Sequence, residues 1–284
     1  MAELSHETAS TQFMEAGGIR FAYRRFGKDG GLPLVLFQHF TGSMDNWDPA
    51  LTNAFAKTRS IVLFDNSGVG RSSGETPNNF ADMARDALTF IDALGLRQID
   101  ILGFSIGGMV AQQILFDRPQ IARRVILVAT GPPGGEGMSK FSDELTNIFA
   151  TPSQPGDRLL KLFFSPTETS QAAGRQFLHR LGARKEDRDP PPTDKVAPAQ
   201  RAAWFAWGTP QGDDYARLGS IVHPALVVNG NHDVMIPTVN SYILSQHLPN
   251  AQLIIYPDSG HGALFQHAPL FVRHAEMFLD DRSA

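Results

Sequence analysis

One serine in this 284-residue chain lies in a sequence pattern that suits nucleophilic catalysis. Ser105 is flanked by glycines in the run Gly103-Phe104-Ser105-Ile106-Gly107, with a strand-like apolar run before it and a helical run after it. A sharp strand-to-helix turn exposes the serine hydroxyl, and the flanking glycines let strand and helix approach closely. The start of the following helix leaves backbone N–H groups free, so the N–H of Ile106 is expected to bind an oxyanion. The pattern predicts that Ser105 is a nucleophile.

A serine hydroxyl needs a base that removes its proton and a third group that orients this base. Two later loops offer such groups. Asp233 follows the apolar run Ala225–Asn229, and His261 lies in a loop of small residues after the run Leu253–Tyr256. Because the carboxyl ends of parallel strands meet at one edge of a sheet, both side chains are expected near Ser105. The sequence therefore predicts a catalytic triad of Ser105, Asp233 and His261.

Other residues compete for these roles. Asp258 is the main alternative acid, although it lies only three positions before the proposed base and on the same loop. The other histidines, among them His232, His267 and His274, are interpreted as surface or structural residues. His232 and the acid beside it lack the spacing of a metal site, so no metal is expected. The run Gly68-Val69-Gly70 lacks the third glycine of a nucleotide-binding loop and is interpreted as a turn. A glycine–serine turn without chemistry is the alternative interpretation of the serine motif.

Short apolar runs bounded by turn residues recur along the chain. They predict strands of a mainly parallel sheet that is buried on both faces. The predicted strands are Leu34–Phe37, Ile61–Phe64, Ile99–Leu102, Val125–Val128, Ala225–Val228 and Leu253–Ile255. The more alternating run Ile19–Phe26 predicts an antiparallel edge hairpin. Apolar residues at steps of three and four predict a helix over Phe80–Leu94, capped by Asn79 and ended by Gly95.

The segment from residue 132 to residue 210 differs from the rest of the chain. It begins within the glycine-rich run Gly131–Gly137, interpreted as a hinge, and its apolar residues have helical spacing. Within the segment, the run Arg184–Lys195 is charged and proline-rich and is expected to be solvated. The sequence predicts a catalytic domain spanning residues 1–284, with a helical cap inserted over residues 132–210.

Composition and charge exclude several classes of function. Hydrophobic residues make up 42% and charged residues 19% of the chain, as in a globular protein. The net charge of −4 offers no basic surface for nucleic acid, and the absence of cysteine excludes disulfides and thiolate chemistry. The run Met1–Gln12 lacks the features of a secretory signal, and no apolar run approaches the ~20 residues that span a bilayer. We expect a soluble cytoplasmic protein that needs no cofactor and binds no membrane.

The order and spacing of these motifs resemble the α/β-hydrolase superfamily, in particular its esterase- and lipase-like branch with an inserted cap. The resemblance rests on the serine motif, the loops that carry Asp233 and His261, and the runs Gln38–Gly42 and Asp65–Ser73. It implies an α/β fold with a mainly parallel, doubly wound sheet and the chain order nucleophile, acid, histidine. Within the superfamily, the chain is similar to bacterial enzymes described as aryl or carboxyl esterases.

The resemblance also implies a second oxyanion donor in the loop after the first parallel strand. Relatives commonly carry His-Gly-x at this place, and x donates its backbone N–H. Here Gln38-His39-Phe40 aligns with that motif, so Phe40 is expected to donate. His39 stands where glycine is usual, and histidine tolerates a positive φ better than most residues.

These features predict a serine hydrolase that cleaves a small or aryl carboxylic ester through an acyl-enzyme. The candidates for contact with this small-molecule substrate are His39, Trp204, Phe205 and Trp207, although the three aromatic residues also suit the core of a cap. Alternatives on the same triad are hydrolysis of a lactone, an amide or a carbon–carbon bond, perhydrolysis, and acyl transfer to an alcohol or amine. A non-catalytic receptor with this fold is disfavoured by the complete Ser, Asp and His set.

Overall fold

The computed structural model describes residues 4–212 and 215–281, which form one eight-stranded sheet and ten α-helices. The strands are β1 (Gln12–Ala16), β2 (Ile19–Gly27), β3 (Leu34–Phe37), β4 (Ser60–Phe64), β5 (Ile99–Phe104), β6 (Ala122–Val128), β7 (Ala225–Gly230) and β8 (Ala251–Tyr256). The helices are α1 (Pro49–Ala56), α2 (Phe80–Ala93), α3 (Ile106–Asp117), α4 (Asp143–Ala150), α5 (Pro155–Phe163), α6 (Glu168–Leu181), α7 (Val196–Gly208), α8 (Val239–His247), α9 (Ala263–Gln266) and α10 (Ala268–Asp280). None of the helices in the described ranges has the length and apolar character needed to cross a membrane.

The sheet has the strand order β1-β2-β4-β3-β5-β6-β7-β8. The hairpin of β1 and β2 is antiparallel, and β2 also pairs antiparallel with β4. All later pairings are parallel. The predicted doubly wound, mainly parallel α/β sheet and the predicted antiparallel hairpin are therefore confirmed. The parallel arrangement brings the loops after β3, β5, β7 and β8 to one edge of the sheet.

Burial follows the position of each strand in the sheet. Strands β3, β4, β5 and β7 are buried along their whole length. The expectation of complete burial was wrong for Leu253–Ile255, because β8 is the last strand of the sheet and has a neighbour on one side only. Ile255 is 38% exposed there.

Helix α2 begins and ends where its capping residues predict. The side chain of Asn79 accepts a hydrogen bond from the backbone N–H of Asp82 at 2.8 Å. Gly95, just beyond the helix, has a φ of 71°, the left-handed conformation that glycine adopts without steric cost. Because α2 joins β4 to β5, this helix fixes the crossover that leads to the serine motif.

The chain between β6 and β7 forms helices α4 to α7 and no strand within the described residues. The loop after α6 is less solvated than its charge suggested. Arg184 is 3% exposed and donates to the backbone carbonyls of His6, Glu7 and Ala9. The buried carboxylate of Asp189 pairs with Arg24 of β2. The expectation of a solvated loop was therefore wrong for Arg184 and Asp189, which tie this loop to the start of the chain and to the sheet.

Candidate active site

Ser105 lies on the turn between β5 and α3 in a conformation that few L-residues adopt. Its φ is 58° and its ψ is −123°. The backbone N–H of Ser105 donates to the carbonyl of Val128 at 2.9 Å, and its carbonyl accepts from Gly108 at 2.9 Å. These bonds hold the turn from both sides, so the strained backbone is a fixed feature of the structure.

The glycines of the motif are required by the close approach of strand, helix and neighbouring strand. A Cβ atom on Gly103 would lie 2.6 Å from the carbonyl oxygen of Gly107. A Cβ atom on Gly107 would lie 2.1 Å from the carbonyl oxygen of Phe37, the last residue of β3. Both distances are far shorter than real Cβ contacts, so only glycine fits at these two positions.

His261 and Asp233 form a buried pair at the same edge of the sheet. His261 Nδ1 lies 2.8 Å from Asp233 Oδ2, and both side chains are fully buried. The other oxygen of Asp233 accepts from the backbone N–H groups of Met235 and Ile236 at 2.8 and 2.9 Å. A carboxylate that accepts from Nδ1–H leaves Nε2 of the neutral ring unprotonated. The ring is thereby oriented as a base.

Asp258 and the competing histidines make other contacts. The carboxylate of Asp258 accepts from the hydroxyl of Thr167 at 2.8 and 2.9 Å. His274 Nδ1 lies 2.8 Å from the hydroxyl of Tyr256, and His267 Nε2 lies 3.2 Å from the carbonyl of Pro257. The exposed His232 follows β7. Of the two acids weighed from the sequence, Asp233 is the one against His261.

The two predicted oxyanion donors lie in the loop after β3 and at the start of α3. The backbone N–H of Phe40 makes no hydrogen bond within the described residues, and that of Ile106 begins α3 without an acceptor in a preceding turn. The positive φ of the loop after β3 falls on Thr41, at 59°, and not on His39. The loop therefore forms without a left-handed conformation at His39.

His39 is a neutral imidazole near the pair of His261 and Asp233. Burial lowers the pKa of His39 to about 4, and its proximity to His261 contributes in the same direction. His39 Nδ1 lies 2.8 Å from the carbonyl oxygen of Phe40, which only accepts, so Nδ1 carries the proton. The lone pair on Nε2 of His39 is left as a hydrogen-bond acceptor.

Ser105, His261, His39 and Phe40 line one cavity with a volume of about 750 Å³. Neither Ser105 Oγ nor His261 Nε2 has a hydrogen-bond partner among the described residues, although both atoms are buried. Two buried polar atoms without partners on one cavity are unusual in a folded protein. The nucleophile and base predicted from the sequence therefore meet at a space that can hold a small molecule.

Three of the four substrate-contact candidates lie outside this lining. His39 lines the cavity, whereas Trp204, Phe205 and Trp207 are not among its lining residues. Trp204 is buried behind Phe40, with ring centroids 6.1 Å apart. The indole N–H of Trp207 donates to the carbonyl of Gly131 at 3.1 Å, which fastens the glycine-rich segment to α7. Trp204 and Trp207 therefore have packing roles.

The sequence did not single out most of the cavity wall. Apolar residues from the segment between β6 and β7 form it, notably Phe141, Phe149, Leu159 and Phe163. Arg158 lies among them. Helical spacing could place these side chains on one face of a helix, but not say which face turns toward the cavity. Besides these five residues and the four at the sheet edge named above, the lining consists of Thr41, Asn46, Ser153, Leu162, Pro191, Pro192, Thr193, Asp194, Ala197, Pro198, Arg201 and Met235.

Helix α5 also contacts the loop of the predicted base directly. The backbone N–H of Gly262 donates to the carbonyl of Phe163 at 2.9 Å, and that of His261 donates to the carbonyl of Leu162 at 3.4 Å. A Cβ atom on Gly262 would lie 2.6 Å from the Cβ of Phe163. The end of α5 therefore supports the His261 loop as well as the cavity wall.

Residues 33–268 match the family model described as the alpha/beta hydrolase fold. The match covers most of the chain, and the eight-stranded sheet has the architecture that the sequence predicted. The chain belongs to the α/β-hydrolase family.

Solved structures and curated proteins similar to this chain include several hydrolases. An alpha/beta hydrolase fold protein from Chitinophaga pinensis is 43% identical, with a TM-score of 0.93 over 98% of this chain and 100% of that one. Est816, described as an N-acyl homoserine lactone degrading enzyme, is 25% identical, with a TM-score of 0.74 over 94% of this chain and 100% of that one. The 2-hydroxymuconate semialdehyde hydrolase of Pseudomonas putida is 28% identical over 89% of each chain.

Proposed function

We propose that this chain is a serine hydrolase that cleaves a small or aryl carboxylic ester through an acyl-enzyme. The observation that carries the proposal is the pair of unpartnered buried atoms, Ser105 Oγ and His261 Nε2, on the wall of one cavity. The bond between His261 and Asp233 supports it, because it turns the unprotonated ring nitrogen away from the acid.

In the proposed mechanism His261 accepts the Ser105 proton while Oγ attacks the ester carbonyl. Asp233 stabilises the imidazolium that forms. The backbone N–H groups of Phe40 and Ile106 bind the oxyanion, and each such donor contributes roughly 3 kcal/mol to transition-state stabilisation. The alcohol leaves with the proton from His261. In the second step His261 accepts a proton from water, which attacks the acyl-enzyme, and then returns that proton to Ser105 Oγ as the acid is released. The mechanism uses protein groups alone.

We further propose that residues 132–210 act as a cap that sets substrate scope. Support comes from Phe141, Phe149 and Leu159, which belong to this segment and line the cavity. An apolar wall opposite the nucleophile favours acyl or aryl groups of matching size. The reacting groups themselves come from the loops at the sheet edge.

A lactone is the second candidate substrate. Support comes from the likeness to Est816, which is described as degrading an N-acyl homoserine lactone. A lactone is a cyclic ester, so the same nucleophile, base and oxyanion donors would open it, with the leaving alcohol retained on the acyl group.

The test combines a substrate screen with labelling of the nucleophile. The purified chain is assayed with 4-nitrophenyl esters of graded acyl length and with an acyl homoserine lactone. A fluorophosphonate probe is expected to add one adduct on Ser105, identified by peptide mass. Ser105→Ala is expected to lose the adduct and to reduce ester turnover by on the order of 10⁴-fold.

The exposed Ser220 provides a matched control, since Ser220→Ala removes a hydroxyl far from the cavity lining. Ser220→Ala is expected to keep both labelling and turnover. A folded Ser105→Ala protein with turnover near that of the unmodified chain would refute the assignment of the nucleophile.

A further inference from the structure

Arg158 of α5 is a charged residue without a partner on the wall of the cavity that holds Ser105 and His261. Its Nε atom is buried and has no hydrogen-bond acceptor in the part of the chain that the structure describes. The guanidinium forms no ion pair with a carboxylate of residues 4–212 or 215–281. Its Cζ atom lies over the ring of Phe149, 5.9 Å from the ring centroid. A buried donor on a charged group is costly unless an acceptor reaches it.

Several arginines of this chain have carboxylate partners, whereas others, such as Arg20 and Arg217, lie over aromatic rings. Ion pairs join Arg24 to Asp45, Arg118 to Asp92, Arg123 to Asp100, Arg180 to Asp48 and Arg184 to Asp187. Several of these pairs are bidentate, with two guanidinium nitrogens bonded to one carboxylate. Arg158 has no such partner among the described residues, and it lies on a cavity wall where a ligand could supply the carboxylate.

The charges along the cavity favour a single negative charge on that ligand. Among the described lining residues, Arg158 and Arg201 carry a positive charge and Asp194 is the single carboxylate. Neither Arg201 nor Asp194 forms an ion pair within the described ranges, and both are exposed at the cavity wall. The excess of one positive charge matches a carboxylate better than a phosphate monoester, which carries about −1.5 to −2 charges.

We propose that Arg158 forms a subsite for a carboxylate carried by the substrate. The substrate class is then an ester whose acyl part bears a free carboxylate, such as a monoester of a dicarboxylic acid. This inference rests on the proposed ester hydrolysis and adds the charge of its substrate. The guanidinium offers the carboxylate two parallel hydrogen bonds, while the apolar residues beside it contact the methylene chain.

Two esters of equal acyl length test the subsite. The kcat/KM of mono-4-nitrophenyl adipate is compared with that of 4-nitrophenyl hexanoate, because both acyl groups have six carbons. The unmodified chain is expected to favour the adipate, and added salt is expected to reduce this preference. Arg158→Gln is expected to lower the ratio of the two kcat/KM values by ~10–100-fold, the range for a charge-assisted bond. Arg158→Lys is expected to retain part of the preference, because it keeps the charge without the paired donors.

Arg217→Gln is the matched control, because Arg217 packs over Phe116 and is absent from the cavity lining. Arg217→Gln is expected to leave the kcat/KM values for the adipate and the hexanoate esters unchanged. An equal loss of activity toward both esters in Arg158→Gln would assign Arg158 a structural role and overturn the proposal. Equal activity of the unmodified chain toward both esters would overturn it as well.

A binding measurement separates this proposal from the proposed activity. Monomethyl adipate is titrated by calorimetry into Ser105→Ala and into the double variant that also carries Arg158→Gln. The subsite is supported if Ser105→Ala binds monomethyl adipate and the double variant binds it at least ~10-fold more weakly. This result would hold even if the chain turned over no ester. Absence of binding to folded Ser105→Ala, or equal binding to both proteins, refutes it.

Discussion

The backbone of Ser105 is strained in a way that a serine in an ordinary turn is not. A φ of 58° combined with a ψ of −123° lies outside the regions that L-residues favour, at a cost on the order of 1–3 kcal/mol. The structure holds this conformation through the hydrogen bonds to Val128 and Gly108. Strain of this kind is typical of functional sites, since the remaining structure must be arranged to maintain it.

Replacing Asp233 by asparagine tests whether this carboxylate orients His261, because it exchanges one oxygen for an amide NH₂ group. Asp233→Asn is expected to lower kcat by up to ~10⁴-fold with little change in KM, because the amide favours the wrong tautomer of His261. The amide oxygen still has the N–H groups of Met235 and Ile236 as donors, so the turn after β7 should persist. Steady-state kinetics at one pH and thermal melts check both statements.

Asp258→Asn provides the matched control for that variant. It removes the same charge three residues from His261, where the carboxylate accepts from Thr167. Its kcat is expected to fall by less than ~10-fold. The reverse order of the two variants, in equally folded proteins, would give the role of the acid to Asp258.

At this scale the sequence predicts residues whose chemistry follows from a local pattern. The turn around Ser105 and the loops that carry Asp233 and His261 were predictable because each directly follows a recognisable strand. The free lone pair of His39 depends on its neighbours in space, and so does the unpaired guanidinium of Arg158. Neither feature leaves a signal in residue spacing.

At the scale of elements, the junction between β5 and α3 depends on the absence of one side chain. Gly107→Ala would place a methyl group 2.1 Å from the carbonyl oxygen of Phe37, a backbone atom that cannot turn away. We expect a loss of stability of about 3 kcal/mol or more, together with loss of ester turnover. Urea unfolding and expression as folded protein are the measurements.

Gly219→Ala is the control for that substitution. A Cβ atom on Gly219 would meet nothing within 4 Å, and its φ is not positive. Its stability is expected to stay within about 1 kcal/mol of the unmodified chain. Similar losses in both variants would show that the junction does not need glycine.

The proposed cap is tested by two phenylalanines of the same helical segment. Phe149 lines the cavity, whereas Phe205 contacts Phe141 from outside it, with ring centroids 5.0 Å apart. Phe149→Ala is expected to raise the KM for six-carbon acyl esters roughly 10-fold and to change the acetyl ester less, because burial of a longer chain is lost.

Phe205→Ala is expected to leave the chain-length preference unchanged. Kinetics with acetyl to octanoyl esters compare the two variants. If Phe149→Ala abolished turnover of the acetyl ester in a folded protein, this segment would have to contribute to catalysis and not only to substrate scope.

The elements themselves differ in how far the sequence predicts them. Unbroken apolar runs predicted the central strands, because burial on both faces leaves a strong local pattern. The prediction from the same kind of run in β8 overestimated its burial, because an apolar run does not reveal which strand lies at the edge of the sheet. The loop Arg184–Lys195 was misjudged because its ion pairs join residues that are far apart in sequence.

At the scale of the whole molecule, charged residues connect the start of the chain, the sheet and the segment between β6 and β7. Arg24 of β2 is fully buried and pairs with Asp45 and Asp189. Arg184 binds the backbone carbonyls around His6. The side chain of His6 lies 3.0 Å from the hydroxyl of Thr52 in α1. The folded state therefore buries His6 beside Arg24 and Arg184, whose charges are paired with aspartates.

The pKa values of two buried histidines, His6 and His39, make the stability of the fold sensitive to acid. Burial lowers the pKa of His6 from 6.5 to about 4, and the nearby Arg24 acts in the same direction. Burial likewise lowers the pKa of His39 to about 4. Between pH 6.5 and pH 4 each of these histidines binds more protons in the unfolded chain than in the folded chain, so its contribution to the free energy of unfolding decreases as the pH falls. Burial raises the pKa of Asp65 to about 8, and this carboxyl acts in the opposite direction over the same range.

His6→Gln is expected to weaken this acid sensitivity. Each histidine contributes at most about 3 kcal/mol to the loss of stability between pH 6.5 and pH 4, at roughly 1.4 kcal/mol per pKa unit. Removing His6 should therefore lower stability at pH 7.5 through the lost contact with Thr52, yet reduce the further decrease toward pH 4.5. Urea unfolding at pH 7.5, 6.5, 5.5 and 4.5 measures both effects, with the exposed His232→Gln as control. A His6→Gln curve parallel to that of the unmodified chain would show that His6 is protonated equally in the folded and unfolded states.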